Sequence, residues 1–173
     1  MLSKLNPREF NSVYKIMEES FSENERRPYE EQYTLLERSN YHVYINKDSS
    51  SGDIKAFLAI WIFEEFTFIE HFAVGKQYRG EGLGSLLLSE LSNKIECQLC
   101  LEVEPPVNVD AIRRIEFYKR NGFYLNNYPY IQPPISKGKK ELPLLIMTSG
   151  GSITREVFEN YKNILYKNVY SVI

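Results

Sequence analysis

A chain of 173 residues with 43% apolar side chains can bury one sizeable α/β core and leaves little room for a second domain. With 21 basic and 23 acidic residues the net charge is −2, which removes the electrostatic argument for a nucleic-acid or membrane-surface partner. The apolar run over 57–63 is far too short to span a bilayer. The first ten residues, MLSKLNPREF, lack the apolar region of a signal peptide, so the expectation is a soluble cytoplasmic protein.

Residues 1–5 read as a short edge strand. Asn6-Pro7 followed by Glu9 reads as a helix start, with Phe10, Val13, Tyr14, Met17 and Phe21 recurring at helical spacing. The run SENERR over 22–27 is a polar link, read as solvated but lying where it could border a substrate mouth. Pro28 opens a second helix to about Ser39, with Tyr33 and Leu36 turned inward. Strands are expected over 41–46, 54–63 and 66–74, the last two joined by a tight Glu64-Glu65 turn, giving an antiparallel meander.

After that meander come Arg79 and three alternate glycines, Gly80, Gly82 and Gly84, then a leucine-rich helix over about 82–95. Its inward residues are expected to be Leu83, Leu86, Leu87, Leu91 and Ile95. Glycines at such a strand-to-helix turn let backbone N–H groups close on a bulky anion, and the helix N-terminus adds to the site. A phosphate-bearing ligand held mainly by backbone is the first functional inference, with Arg79 as a fixed charge at its edge.

A strand follows over 98–103, stopped by Pro105-Pro106. A helix over 109–121 carries Ala111, Ile112, Ile115 and Tyr118 on one stripe, with Asn121-Gly122 as its stop. Two strands, 123–131 and 142–148, are joined by a Pro- and Lys-containing loop. From Ser152 a last amphipathic helix carries Val157, Phe158, Tyr161, Ile164 and Leu165. The only cysteines, Cys97 and Cys100, are read as incidental thiols. Zinc would need two further ligands, and only His42 and His71 exist, so no metal is expected.

Gly80-x-Gly82-x-x-Ser85, with Glu102 about 20 residues on, nearly matches a dinucleotide fingerprint. The context argues against it. Five residues separate Val74 from Gly80, and the preceding strand is half of a hairpin rather than the start of a βαβ unit.

With these residues placed, the chain resembles the GNAT superfamily of N-acetyltransferases. The pattern Arg/Gln-x-x-Gly-x-Gly/Ala is met by Gln77, Gly80 and Gly82 after a strand ending Phe72-Ala73-Val74. A helix closing in aromatic-Tyr-x-x-x-Gly-Phe is met by Phe117-Tyr118 and Gly122-Phe123. Where the family often has Asn, seven residues before the Tyr, this chain has Ala111, with Asn108 nearby. The resemblance implies a mixed α/β fold: a mostly antiparallel, splayed sheet flanked by helices over 1–148, and a C-terminal helical extension over 149–173. It also implies acetyl-CoA as cosubstrate. The pyrophosphate would sit on the N–H groups of Arg79, Gly80, Gly82, Leu83, Gly84 and Ser85, and the pantetheine arm on the main chain of Phe72 and Val74.

Acetyl transfer to an amine needs a neutral amine, a donor for the developing oxyanion and a proton for the departing thiolate. Tyr118 is the candidate acid, and Val74 N–H the oxyanion donor by resemblance. Glu70 is the candidate base. It alternates with Phe66, Phe68, Phe72 and Val74, so burial among apolar groups would raise its pKa toward a useful value. His71 is expected on the opposite face. Glu102 and Glu104 are candidates for binding or deprotonating the amine, and if they line the cleft they favour a cationic acceptor. The expected acceptor is a small-molecule or peptide amine met by a monomer or homodimer. A non-catalytic CoA-binding module of the same fold is the alternative.

Overall fold

The computed structural model describes residues 1–172, which contain seven strands and five α-helices. They form two compact units, residues 1–97 and a second beginning at Gln98.

The first unit is a four-stranded antiparallel meander: β1 (Ser3–Lys4), β2 (Tyr41–Lys47), β3 (Ile54–Ile62) and β4 (Phe66–Val74). Asn6 Oδ1 accepts from Arg8 N across a 3₁₀ turn at Pro7–Glu9, and α1 (Phe10–Ser20) follows, packing on β3 and β4. α1 buries Phe10, Val13, Tyr14, Ile16 and Met17. The next helix is shorter than its periodicity predicts: α2 (Tyr29–Thr34) tightens into a 3₁₀ turn at Leu35–Glu37. Gln32 and Leu35 face inward there, while Tyr33 is exposed and Leu36 only half-buried. α3 (Leu83–Lys94) packs on β4 through Leu87, Leu88 and Leu91; Leu86, expected inside, is 53% exposed.

One irregularity in β4 matters most. Ala59 pairs with His71 and Ile60 with Ile69, so Glu70 is an extra residue without a partner on β3, a β-bulge. The bulge reverses the alternation of the strand. His71 and Ala73 pair with Ala59 and Phe57, on the side of Phe68, which pairs with Trp61. Phe72 and Val74 pair with Leu58 and Ala56, on the side of Ile69 and Thr67. The expected single face of Phe66, Phe68, Glu70, Phe72 and Val74 therefore does not exist. A period of two cannot cross an inserted residue.

The second unit has β5 (Gln98–Val103), α4 (Val109–Arg120), β6 (Phe123–Gln132), β7 (Leu142–Ser149) and α5 (Arg155–Asn168). β7 lies between β5 and β6, antiparallel to both. Asn108 caps α4, its Oδ1 accepting from Ala111 N at 2.8 Å. α4 buries Ala111, Ile115 and Tyr118, while Ile112 is 46% exposed. α5 is capped by Thr154 and packs Phe158 against Tyr128 and Tyr130; Tyr161 donates to Gln98.

Candidate active site

β4 leads without interruption into the glycine turn. Gly75 N–H donates to Lys55 C=O at 2.8 Å, which makes Lys55 and Gly75 a hydrogen-bonded pair of the β3–β4 ladder. Antiparallel pairs alternate. The next pair, Ala56–Val74, and the one two further on, Leu58–Phe72, therefore turn their main-chain groups away from each other. The N–H and C=O of Phe72 and Val74 thus point away from β3. That is the orientation an amide-bearing ligand arm would require.

A 3₁₀ turn at Lys76–Tyr78 then brings the chain to Gly80 and Gly82, whose φ values are +87° and +76°. Side chains rarely adopt that region, and Gly82 occupies it as the residue before α3. A Cβ at either glycine would meet no protein atom within 4 Å, so the constraint there is conformational rather than a clash within the chain. Gly84 lies inside the first turn of α3, so only two of the three alternate glycines are demanded by φ. Helix geometry leaves the first-turn N–H groups, Leu83, Gly84 and Ser85 among them, without intrahelical partners. Leu86 N–H makes the first bond, to Gly82 C=O. Arg79 is exposed and turned back: its Nε donates to Val74 C=O at 2.9 Å, and Nη2 reaches Ser20 Oγ at 3.5 Å.

Glu70 is the centre of a buried charge cluster. Its Oε1 is 2.7 Å from Arg27 Nη1, with the two side chains 2% and 6% exposed. Its Oε2 is 3.5 Å from His71 Nδ1. Arg27 also reaches Gln32, which donates to Tyr41, and Tyr14 donates to the Arg27 C=O. The expectation of a raised carboxyl is corrected here. Burial pushes Glu70 up, but the Arg27 guanidinium and the His71 ring outweigh it, holding the carboxyl at about 2. Burial and the nearby Glu70 carboxylate push the Tyr41 phenol up. His71, expected on the opposite face from Glu70, meets it because the bulge re-aims both side chains.

In the second unit, Tyr118 is buried against Phe117 and Phe123, and its hydroxyl makes no hydrogen bond among the described residues. Burial pushes the phenol up to about 12 against the opposing pull of Arg114, so it stays protonated at any working pH. Glu102 accepts hydrogen bonds from Tyr130 and, at 2.8 Å, from Tyr170. Glu104 pairs with Arg114 at 3.1 Å on the half-exposed surface. The structure thus does not gather the two glutamates at one point: one anchors tyrosines, the other a helix. Both cysteines are free thiols, Cys97 beside Thr67 and Cys100 buried. No helix among the described residues is long and apolar enough to cross a membrane.

Arg27 is what the sequence concealed. It lies in a run that reads as solvated, and nothing in that run distinguishes the buried Arg27 from its neighbours.

Comparisons with known proteins agree with this geometry. The profile of the Acetyltransferase (GNAT) family matches residues 10–123, so the chain belongs to that family. A Bacteroides thetaiotaomicron protein assigned to the GNAT family is 31% identical, superposes with a TM-score of 0.91, and is matched over 100% of this chain and 99% of its own. YjbC of Bacillus subtilis (strain 168), classed as an acetyltransferase, is 29% identical over 142 residues, 79% of this chain and 69% of YjbC. A Sinorhizobium meliloti phosphinothricin acetyltransferase, solved in complex with acetyl-CoA, shares the fold at 18% identity and a TM-score of 0.60, over 86% of each chain. The chain therefore has the mixed α/β fold of the family with a C-terminal helix, and it is an acyltransferase of the acetyl-CoA-dependent class.

Proposed function

We propose that this protein transfers the acetyl group of acetyl-CoA directly to the primary amine of a small molecule or peptide, with both substrates bound together. The observation that carries this reading is the continuity of β4, the left-handed Gly80–Gly82 turn and the α3 N-terminus. One unbroken stretch turns main-chain groups, Val74 N–H among them, away from β3 for an amide-bearing arm and then presents first-turn N–H groups without intrahelical partners for an anion. Phe72 and Val74 would hold the arm, and Arg79, Gly80, Gly82, Leu83, Gly84 and Ser85 the pyrophosphate. No metal has a part in this reading.

Acetyl-CoA, when bound, supplies an acyl thioester. Val74 N–H faces away from β3 and is our candidate donor to the carbonyl oxygen as the C–N bond forms. Tyr118, held protonated, would give its proton to sulfur as the C–S bond breaks; the nitrogen would shed a proton to solvent as the amide forms, and solvent would return one to the phenolate. Glu70 takes a role other than the expected base. A carboxylate held near 2 is a poor match for an ammonium proton, so Glu70 is assigned to holding the bulge that aims Phe72 and Val74. Glu102 and Glu104 are already engaged by the chain's own tyrosines and Arg114, and we propose no substrate contact for them.

The test is to incubate the full chain with acetyl-CoA and a panel of primary amines, following release of free thiol and the mass of the product. Amine-dependent thiol release with a product heavier by one acetyl group supports the reading. Thiol release without an acetylated amine, or none with any amine, refutes it.

A further inference from the structure

Two buried polar atoms of the Glu70 cluster have no hydrogen-bond partner, Glu70 Oε2 and His71 Nδ1, and they face each other at 3.5 Å. Both side chains are 2% exposed, so bulk solvent does not reach them. The other ring nitrogen is decided by its neighbour. His71 Nε2 lies 2.7 Å from the Glu25 C=O, which can only accept, so Nε2 carries a hydrogen. A neutral ring would then turn the Nδ1 lone pair toward a carboxylate oxygen, leaving two buried acceptors opposed. A proton on Nδ1 sets opposite charges against each other there instead.

We propose that His71 carries a proton on both ring nitrogens and with it clamps the segment at residues 21–28 to the β4 bulge, making it a positioning residue for acetyl transfer. One ring nitrogen holds the segment through the Glu25 carbonyl, and the other holds Glu70, whose second oxygen pairs with Arg27 of the same segment. The clamp encloses the bulge, which determines that Phe72 and Val74 turn their main chain away from β3. The charged and titratable groups around the ring are Glu70 on β4, Arg27 on the segment, and Tyr41 of β2, which acts on the same pair. Phe21 at the end of α1 presents its ring to His71 at 4.8 Å, and Ala59 lies opposite on β3. Arg27 thus takes one oxygen of the Glu70 carboxylate, and the other faces His71.

The role in transfer rests on the function proposed above; the protonation state does not, and the two are tested separately. Nitrogen-15 NMR of the two histidine rings in the full chain reads the first. At about pH 7.5, His71 is expected to show two protonated nitrogens while His42 shows a neutral ring, since burial and Lys4 lower His42. An unprotonated Nδ1 on His71 at that pH overturns the proposal whatever the enzyme does. For the second, His71→Ala should lower kcat/KM by roughly tenfold, the order of one lost charge-assisted hydrogen bond. His71→Asn, which can still donate to Glu70, should recover most of that loss, whereas His71→Gln, which reaches only the Glu25 carbonyl, should not. Equal activity in the Ala and Asn variants overturns the positioning role even if the NMR result stands.

Discussion

Removing the Arg27 side chain is the severest test of the buried cluster. Arg27→Met keeps the length and apolar volume of the stem and deletes the guanidinium that lies 2.7 Å from Glu70. The size of the effect follows from the carboxyl. Its fall from the ordinary 4.5 to about 2 corresponds, at ~1.4 kcal/mol per tenfold in proton affinity, to about 3 kcal/mol of native-state stabilisation. That agrees with the ~3–5 kcal/mol lost when one partner of a buried pair is removed. The pH dependence has a definite sign. In the wild type the folded carboxyl lies below its unfolded value, so its contribution is complete above about pH 4.5 and is lost as pH falls toward 2. In Arg27→Met the largest lowering influence is gone, burial prevails and the carboxyl moves up. The variant is then least stable, relative to wild type, at neutral pH, and the gap narrows on acidification from pH 7. Urea unfolding followed by the fluorescence of Trp61, the sole tryptophan, measures this directly. A midpoint lower by about 1–2 M urea at pH 7 is expected for ~3 kcal/mol. Arg27→Met combined with Glu70→Gln should recover much of the loss, because the uncompensated charge is gone. A single variant with the wild-type midpoint at pH 7 would refute the argument.

Three further outcomes are expected. Tyr118→Phe should lower kcat by a factor of ~10² or more, the usual worth of a positioned proton donor, with acetyl-CoA affinity nearly unchanged; parallel losses in both would instead mark a packing role. Gly82→Ala should cost about 1–2 kcal/mol in stability from its positive φ alone, since no protein atom meets the new Cβ. Any further loss of acetyl-CoA affinity would report a methyl standing against the ligand, and unchanged stability would contradict the backbone reading. Glu102→Leu deprives the Tyr130 and Tyr170 hydroxyls of their acceptor and should lower stability by about 2–5 kcal/mol in thermal unfolding, while Glu102→Gln, which keeps an acceptor oxygen, should cost less.

Element order was legible because each element carries a local signal. Phe10, Val13, Tyr14 and Met17 trace one helical stripe, the Asn121-Gly122 stop ends α4, and the strands alternate or run apolar. The glycine turn was legible for the same reason, as Gly80 and Gly82 mark backbone no other residue adopts readily. What stayed hidden was non-local. A bulge is an offset between two strands, and Phe66 to Val74 read alone look like an unbroken alternation. Arg27 meets Glu70 from 43 residues away, and Glu102 is engaged by Tyr130 and the distant Tyr170. The exposed Leu86 and Ile112 show the smaller version of this limit: helical spacing gives the stripe but not its width.

The central claim is most directly tested by calorimetric titration of the full chain with acetyl-CoA, using NAD as the control ligand because the glycine pattern nearly matches a dinucleotide fingerprint. Saturable one-to-one binding of acetyl-CoA with no heat from NAD is the predicted result. Silence with acetyl-CoA, or equal binding of NAD, would contradict it.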